Sequence, residues 1–414
     1  MSILSTFLGG ENRLVLQFLA YPALAIAPVV ALVGGIIIPT EKLSSFVRQI
    51  ISIPLLLAVA LIPFGFTNGN KIIDLVVGVT SYNFFLRFVE LYWVGPLVQD
   101  RPVYASTDSL WVDFWCCMRK FPKPAKKDTP ELKKGQVKEF KKDKKFYHII
   151  LYMTSHMVVT DVLASWIASF TGEEIRHMVD ERPVLFLVYF ILVNVLLHVA
   201  FNSVGYGLQL FYCIAYEGGS WSSEQWRSLM LNPLGSQSLD ELWSYRWHQL
   251  FKSTWLAFPF RPVRILVERA LTKRVKGVAR PVAFLLASIS VFAASAFMHE
   301  YVVAANVGLP IYKRVFAGEQ CIFFIGHGLG VTFEHLVHIL VIPRLPKSFQ
   351  NSVLYNLLGR LWTLVFGYAT FFYIANGFVS WGFQCDIPLA FSKPYIADFV
   401  HAHPRLLTVW GSRI

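Results

Sequence analysis

Eight long apolar blocks, at residues 14–38, 50–66, 72–94, 147–170, 184–211, 281–303, 315–342 and 358–383, follow one another along this chain. Each is near the ~20 residues that an α-helix needs to cross ~30 Å of hydrocarbon. The blocks predict an all-α, polytopic transmembrane bundle of about eight spans, with a range of seven to ten, forming one integral membrane domain over residues 1–414. A soluble core could not absorb so much apolar surface: 55% of the 414 residues are hydrophobic and only 15% charged, against roughly 25% charged in an ordinary soluble domain. The 35 Phe, 17 Tyr and 12 Trp fit the same picture, since Trp and Tyr collect at the membrane interface. The second block is short and holds Pro54 and Pro63, the fifth is long enough to tilt or break, and residues 251–260 read as a re-entrant or interfacial piece. Glu11 and Arg13 precede the first block, and Glu41 and Lys42 follow it, so it reads as a first span and not as a cleaved signal.

Charge separates the two faces. Residues 119–145 hold twelve Lys or Arg against four acids, residues 212–280 hold ten against five, and Arg344, Lys347 and Arg360 mark a third basic stretch. Eight spans put all three on one side, which the positive-inside rule makes cytoplasmic, with both termini opposite. The expected layout is a basic cytoplasmic loop at 100–146 and a cytoplasmic or interfacial segment at 212–280, in an endoplasmic reticulum membrane. The lysine-rich run is expected to be a solvated loop beside anionic lipid. It lacks the interleaved aromatics of a single-strand nucleic-acid groove, so no nucleic-acid partner is expected. The five cysteines have neither metal-ligand spacing nor a disulfide pattern.

Polar residues inside the blocks need partners or a cavity. Arg87 and Glu90, three apart, are placed to pair on one helix face. Asn194, His198 and Asn202 recur every four residues, a stripe that reads equally as interhelical hydrogen bonding or as the wall of a substrate passage. The sixth block ends its run of small and apolar residues on His299-Glu300-Tyr301. Packing through Ala293, Ser295 and Ala296 lets a helix approach its neighbours closely. His299 then reads as a proton-transfer catalyst, as an interhelical contact or as a relay. Upstream, Ser238 with Glu241 forms a helix-capping pattern, and Trp243, Trp247 and Phe251 recur every four residues. This predicts an amphipathic helix lying on the bilayer, with Arg246 and Lys252 snorkelling. Anchoring of that kind leaves His248 unexplained. His327, Glu334, His335 and His338 do not match the His-Glu-x-x-His spacing of a zinc helix, so they are expected to pack or line a cavity, and no metal is expected.

The segment Ser238-Leu-Asp-Glu-Leu-Trp-Ser-Tyr-Arg-Trp-His248-Gln-Leu-Phe resembles the wax synthase-like branch of the membrane-bound O-acyltransferase family, and Ser295-Ala-Phe-Met-His299-Glu300 resembles that family's motif around its catalytic histidine. The resemblance is strong over residues 231–301. It implies acyl transfer from acyl-CoA to the hydroxyl of a lipophilic alcohol, with His299 as the catalytic histidine and His248 at the second polar motif position, an asparagine in several relatives. Trp243, Arg246 and Trp247, with the stripe Asn194, His198 and Asn202, are the candidate substrate contacts. The resemblance implies no permanently bound cofactor, acyl-CoA as co-substrate, and membrane lipids as surroundings. Other acceptors remain open: a short acyl group on a terpenoid hydroxyl, or a diacylglycerol or sterol, although the Phe-Tyr-x-Asp-Trp-Trp-Asn pattern of that last branch is missing. A transporter is the reading from another class. It predicts inverted repeats, and no internal duplication is visible.

Overall fold

The computed structural model describes residues 7–17, 19–121, 140–273, 275–386 and 391–402. Lys123, Lys126, Lys127, Lys133, Lys134 and Lys138 of the basic run, together with Arg274 and Arg413, lie outside the described residues. Among the described residues, eight helices have the length and hydropathy to cross a membrane, which makes this a multi-pass integral membrane protein. They are numbered α1 (Ala20–Ile37), α2 (Ser45–Gly65), α3 (Lys71–Gln99), α4 (Phe146–Ile167), α5 (Pro183–Tyr216), α6 (Lys276–Val307), α7 (Glu319–Leu340) and α8 (Val353–Trp381). Leucine, isoleucine, valine and phenylalanine remain exposed along most of them, Leu57, Phe297, Ile339 and Leu361 among these, as expected of helices whose outer faces meet lipid.

Three departures from the sequence expectation have physical causes. Residues 14–15 do not join α1, because Leu14 and Val15 pair in parallel with Phe66 and Thr67. Helix α5, expected to tilt or break, is unbroken: its 34 residues form one helix of about 51 Å, well beyond the ~30 Å of hydrocarbon. Residues 251–260, expected to be a re-entrant or interfacial piece, do not form one continuous helix. They fold as the short turn Lys252–Trp255, a kinked stretch to Phe260 and then the amphipathic helix Arg261–Thr272, which packs on α6.

The bundle has separate cores. Helices α1, α2 and α3 bury Leu32, Ile36, Val59 and Tyr92 against one another. Helices α4 and α5 form an antiparallel pair, and α8 packs Phe371 between Phe186 and Phe190 of α5. Helix α6 lies between α3 and α7, and its buried Ala283, Ala287 and Ala296 permit the close approach expected of small residues. Arg87 and Glu90 of α3 pair with each other, Arg87 also pairs with Asp113 at 2.7 Å, and Arg101 also pairs with Glu90. Glu90 is 0% exposed and opens a π-helical turn, so the charges that sequence pattern placed together form a buried structural cluster.

Candidate active site

Helix α6 carries His299 to the centre of the packing between α7 and α8. Its ring stacks on Phe324 of α7, with centroids 4.6 Å apart and planes 26° apart, and meets the edge of Phe378 of α8 at 5.7 Å. The ring is half-buried, and Nδ1 is closed off without a hydrogen-bond partner. A buried imidazole nitrogen without a partner costs roughly 1–3 kcal/mol, so a packing role alone is an expensive explanation for this histidine. Glu300 turns away from it, as a step of about 100° along a helix requires. The Glu300 carboxylate is 5% exposed, and its Oε1 accepts from the backbone N–H groups of Gly318, Gln320 and Cys321 at 2.9, 3.1 and 3.2 Å. These belong to the start of α7, where four amide groups lack intrahelical partners and a negative charge is stabilised. Glu300 therefore seats the helix that supplies the stacking partner of His299.

The segment ahead of α6 is held by a second carboxylate. Ser238 caps it, its Oγ accepting from Glu241 N–H at 2.9 Å, as the sequence pattern predicts. Glu334, on α7 and 7% exposed, accepts from Leu239 N–H at 2.7 Å, from Asp240 N–H at 3.0 Å and from the Trp362 indole at 2.7 Å. Helix α8 comes close at Gly359, where a Cβ would collide with the Gln237 carbonyl. The amphipathic surface helix is not what forms here. A helical turn at Leu239–Glu241 widens into a π turn at Leu242–Arg246, and the chain becomes extended at Trp247, with φ −69° and ψ 158°. Trp243 consequently points inward, its ring 5.8 Å from Phe292, 5.8 Å from Phe324 and 5.4 Å from His327. Arg246 does not snorkel: Nε donates to Glu241 at 2.8 Å, and Nη1 donates to the carbonyls of Leu231 and Asn232. Lys252 Nζ donates to the Ser244 carbonyl at 3.3 Å.

The extended turn presents His248 to α5, where it stacks on Phe201 with centroids 4.4 Å and planes 26° apart. Its Nδ1 is also buried and unpartnered. Burial pushes His248 down to about 4, so the ring is neutral at physiological pH. The two histidines lie within electrostatic range of each other. A path of ring contacts joins them: His248 to Trp247 at 5.8 Å, Trp247 to Trp243 at 5.3 Å, Trp243 to Phe324 at 5.8 Å, and Phe324 to His299. Two imidazoles, each with a stacked phenylalanine and one orphaned nitrogen, thus share a largely aromatic interior.

Residues 226–325 match the family described as the Membrane bound O-acyl transferase family, a stretch that contains the motif segment, both histidines, α6 and the start of α7. The match covers about a quarter of the chain and is a similarity over those residues. No curated protein and no solved structure gives a match. The matched residues include those that the geometry draws together around His248 and His299.

Of the remaining residues singled out in the sequence, Asn202 is the most firmly engaged. Its Nδ2 donates to the Met230 carbonyl and its Oδ1 accepts from Met230 N–H, both at 3.1 Å, which fixes the family segment to α5. Asn202 Nδ2 also lies 3.4 Å from His198 Nδ1, and Asn194 donates to the Phe190 carbonyl at 2.8 Å within its own helix. His327 is buried, with Nδ1 2.9 Å from the Phe323 carbonyl, while His335 and His338 are exposed beside the buried Glu334. Sequence reasoning missed the roles of Glu300 and Glu334, whose partners are backbone amides 18 to 95 positions away. An acid next to His299 and another in an apolar helix were the only signals.

Proposed function

We propose that this protein is an acyltransferase that transfers an acyl group from acyl-CoA to the hydroxyl of a lipophilic alcohol, in the manner of wax ester synthases, in the endoplasmic reticulum membrane. The observation that carries the reading is the pair of unpartnered imidazoles, His248 and His299, within electrostatic range and surrounded by rings. An alcohol is a weak nucleophile. His299 as general base accepts its proton as the oxygen attacks the thioester carbonyl, and the same proton passes to the departing thiolate as the tetrahedral intermediate collapses. Direct transfer between two bound substrates needs no acyl-enzyme and draws its advantage from orientation. A neutral His248 is suited to donate a hydrogen bond to the developing oxyanion without introducing a charge of its own. The aromatic lining disfavours competing hydrolysis by keeping water scarce. Trp243, Trp247 and Arg246 shape the segment that carries His248, and His198, Asn194 and Asn202 line the facing helix.

The test is product analysis by mass spectrometry. Membranes holding wild-type protein or His299→Ala are incubated with a panel of acyl-CoAs and of fatty, terpenoid, sterol and diacylglycerol alcohols. The expected result is an ester made only by the wild type, with the variant still accumulating in membranes. Substantial ester formation by purified His299→Ala would overturn the catalytic assignment, and the identity of the product separates the long-chain acceptor from the other three classes.

A further inference from the structure

The transfer chemistry leaves the buried His327 without a task. It sits on α7 three residues beyond Phe324, the ring on which His299 stacks, and it is 1% exposed. Three rings surround it: Phe323 at 4.3 Å, Phe366 of α8 at 5.0 Å and Trp243 of the motif segment at 5.4 Å between centres. Its Nδ1 lies 2.9 Å from the Phe323 carbonyl, one turn back on the same helix. A carbonyl oxygen can only accept, so in the neutral ring Nδ1 carries the proton and Nε2 holds the lone pair. Among the described residues that Nε2 has no hydrogen-bond partner.

Trp243 supplies the complementary half. Its indole N–H is buried and unpartnered, and its ring plane stands 82° from that of His327. The register between the two is fixed by contacts on either side of them. Glu334, seven residues beyond His327, accepts from Leu239 N–H and Asp240 N–H, and a Cβ on Gly330 would strike the Leu239 side chain at 2.6 Å. An unmet acceptor and an unmet donor are thus held side by side, each a cost to folding that a phenylalanine in its place would not carry. The pair specifies the group that completes it. A carbonyl or ether accepts from the indole but leaves the imidazole unmet, whereas a hydroxyl serves both, its oxygen accepting from Trp243 Nε1–H and its proton going to His327 Nε2. Phe324 stands between this pair and the reacting position, with its ring centre 4.6 Å from His299 and 5.8 Å from Trp243. A hydroxyl held beyond Phe324 is not the one that His299 deprotonates. It is a second one, further along the same apolar molecule.

We propose that Trp243 and His327 bind a second hydroxyl group on the apolar body of a substrate, so that the reaction favours a diol acceptor or a hydroxylated acyl chain over its unsubstituted counterpart. The proposal rests on the acyl-transfer reading above and narrows its substrate class. The experiment uses full-length protein in nanodiscs, as wild type, His327→Phe and Trp243→Phe. One arm supplies plain acyl-CoA with a series of diols in which the second hydroxyl steps along the chain, against the matching mono-alcohol. The other supplies the mono-alcohol with acyl-CoAs whose hydroxyl steps in the same way, against the plain acyl-CoA. In wild type, kcat/KM should peak at one hydroxyl position in one arm, about tenfold above the unsubstituted compound, the scale of a neutral hydrogen bond. The arm that shows the peak assigns the hydroxyl to the acceptor or to the acyl chain. His327→Phe should erase the peak, and Trp243→Phe gives an independent reading should His327→Phe fail to accumulate. A flat wild-type profile in both arms, or a peak that survives His327→Phe, would overturn the proposal and leave the pair to a fixed water. Equilibrium binding of the labelled diol and hydroxyacyl-CoA, each against its unsubstituted counterpart, separates this failure from failure of the transfer reading. If no pair of substrates yields ester, yet wild type binds one hydroxylated compound about tenfold tighter and His327→Phe does not, transfer falls and the hydroxyl site stands; equal binding would overturn the site as well.

Discussion

Glu334 is a test of whether the motif segment is held by α7 or merely rests against it. Its carboxylate accepts three hydrogen bonds, from Leu239 N–H, Asp240 N–H and the Trp362 indole. Hydrogen bonds to a charged group are each worth about 1.5–3 kcal/mol. All three together set a ceiling of roughly 5–9 kcal/mol, which hydration of the half-buried Asp240 and Trp362 lowers to about 3–5 kcal/mol for Glu334→Ala. Glu334→Gln is the sharper variant. Its amide oxygen can serve Leu239 and Trp362, while its amide nitrogen faces the N–H of Asp240, donor against donor. The expected loss is about 1.5–3 kcal/mol, and the segment bearing Trp243 and His248 shifts. A displacement of about 1 Å at a reacting group costs on the order of 100-fold in rate. Thermal unfolding in nanodiscs and the initial rate of ester formation should therefore fall together. Trp362→Phe removes one of the three bonds and should cost about 1 kcal/mol alone and less in combination with Glu334→Gln, because the two share a partner. Wild-type stability and turnover in Glu334→Gln, or strictly additive losses in the pair, would refute the reasoning.

Glu300 should behave as a positioning residue: Glu300→Gln keeps an oxygen for the α7 amides and should retain most turnover with an unchanged pH–rate profile, whereas Glu300→Ala should lose both stability and rate. A shifted pH–rate profile in Glu300→Gln would instead indicate direct coupling to His299. His248→Ala should lower kcat by about 100- to 1,000-fold, the scale of a lost oxyanion donor; an unchanged rate would reduce the residue to packing. Because burial pushes His248 from 6.5 to about 4, the unfolded chain gains its proton first as pH falls, so stability drops from pH 6.5 to about 4 and is unaffected above that window. The shift corresponds to about 3 kcal/mol, and His248→Asn should flatten this part of the unfolding profile; equal slopes in both proteins would count against a neutral buried ring.

The spans were legible because membrane helices announce themselves by composition alone. The path of the motif segment was not. Trp243, Trp247 and Phe251 have helical spacing, yet the turn widens at Leu242–Arg246 and the chain extends at Trp247. That outcome depends on Glu334, Leu231 N–H to the Arg246 carbonyl at 2.8 Å, and Arg246 itself, contacts made across 5 to 95 residues. Local periodicity cannot register a backbone captured from a distant helix. Arg87 and Glu90 succeeded for the opposite reason, since both partners lie within one turn.

Helix α7 is gripped near its first turn by Glu300 and grips the motif segment through Glu334, fourteen residues or about 21 Å further on. The two histidines arise on different elements, yet a single rod sets the gauge between them. Tilting of the pair α4 and α5 leaves that gauge unaltered, whereas a rotation of α7 about its own axis moves Phe324 and the anchor of the motif segment at once.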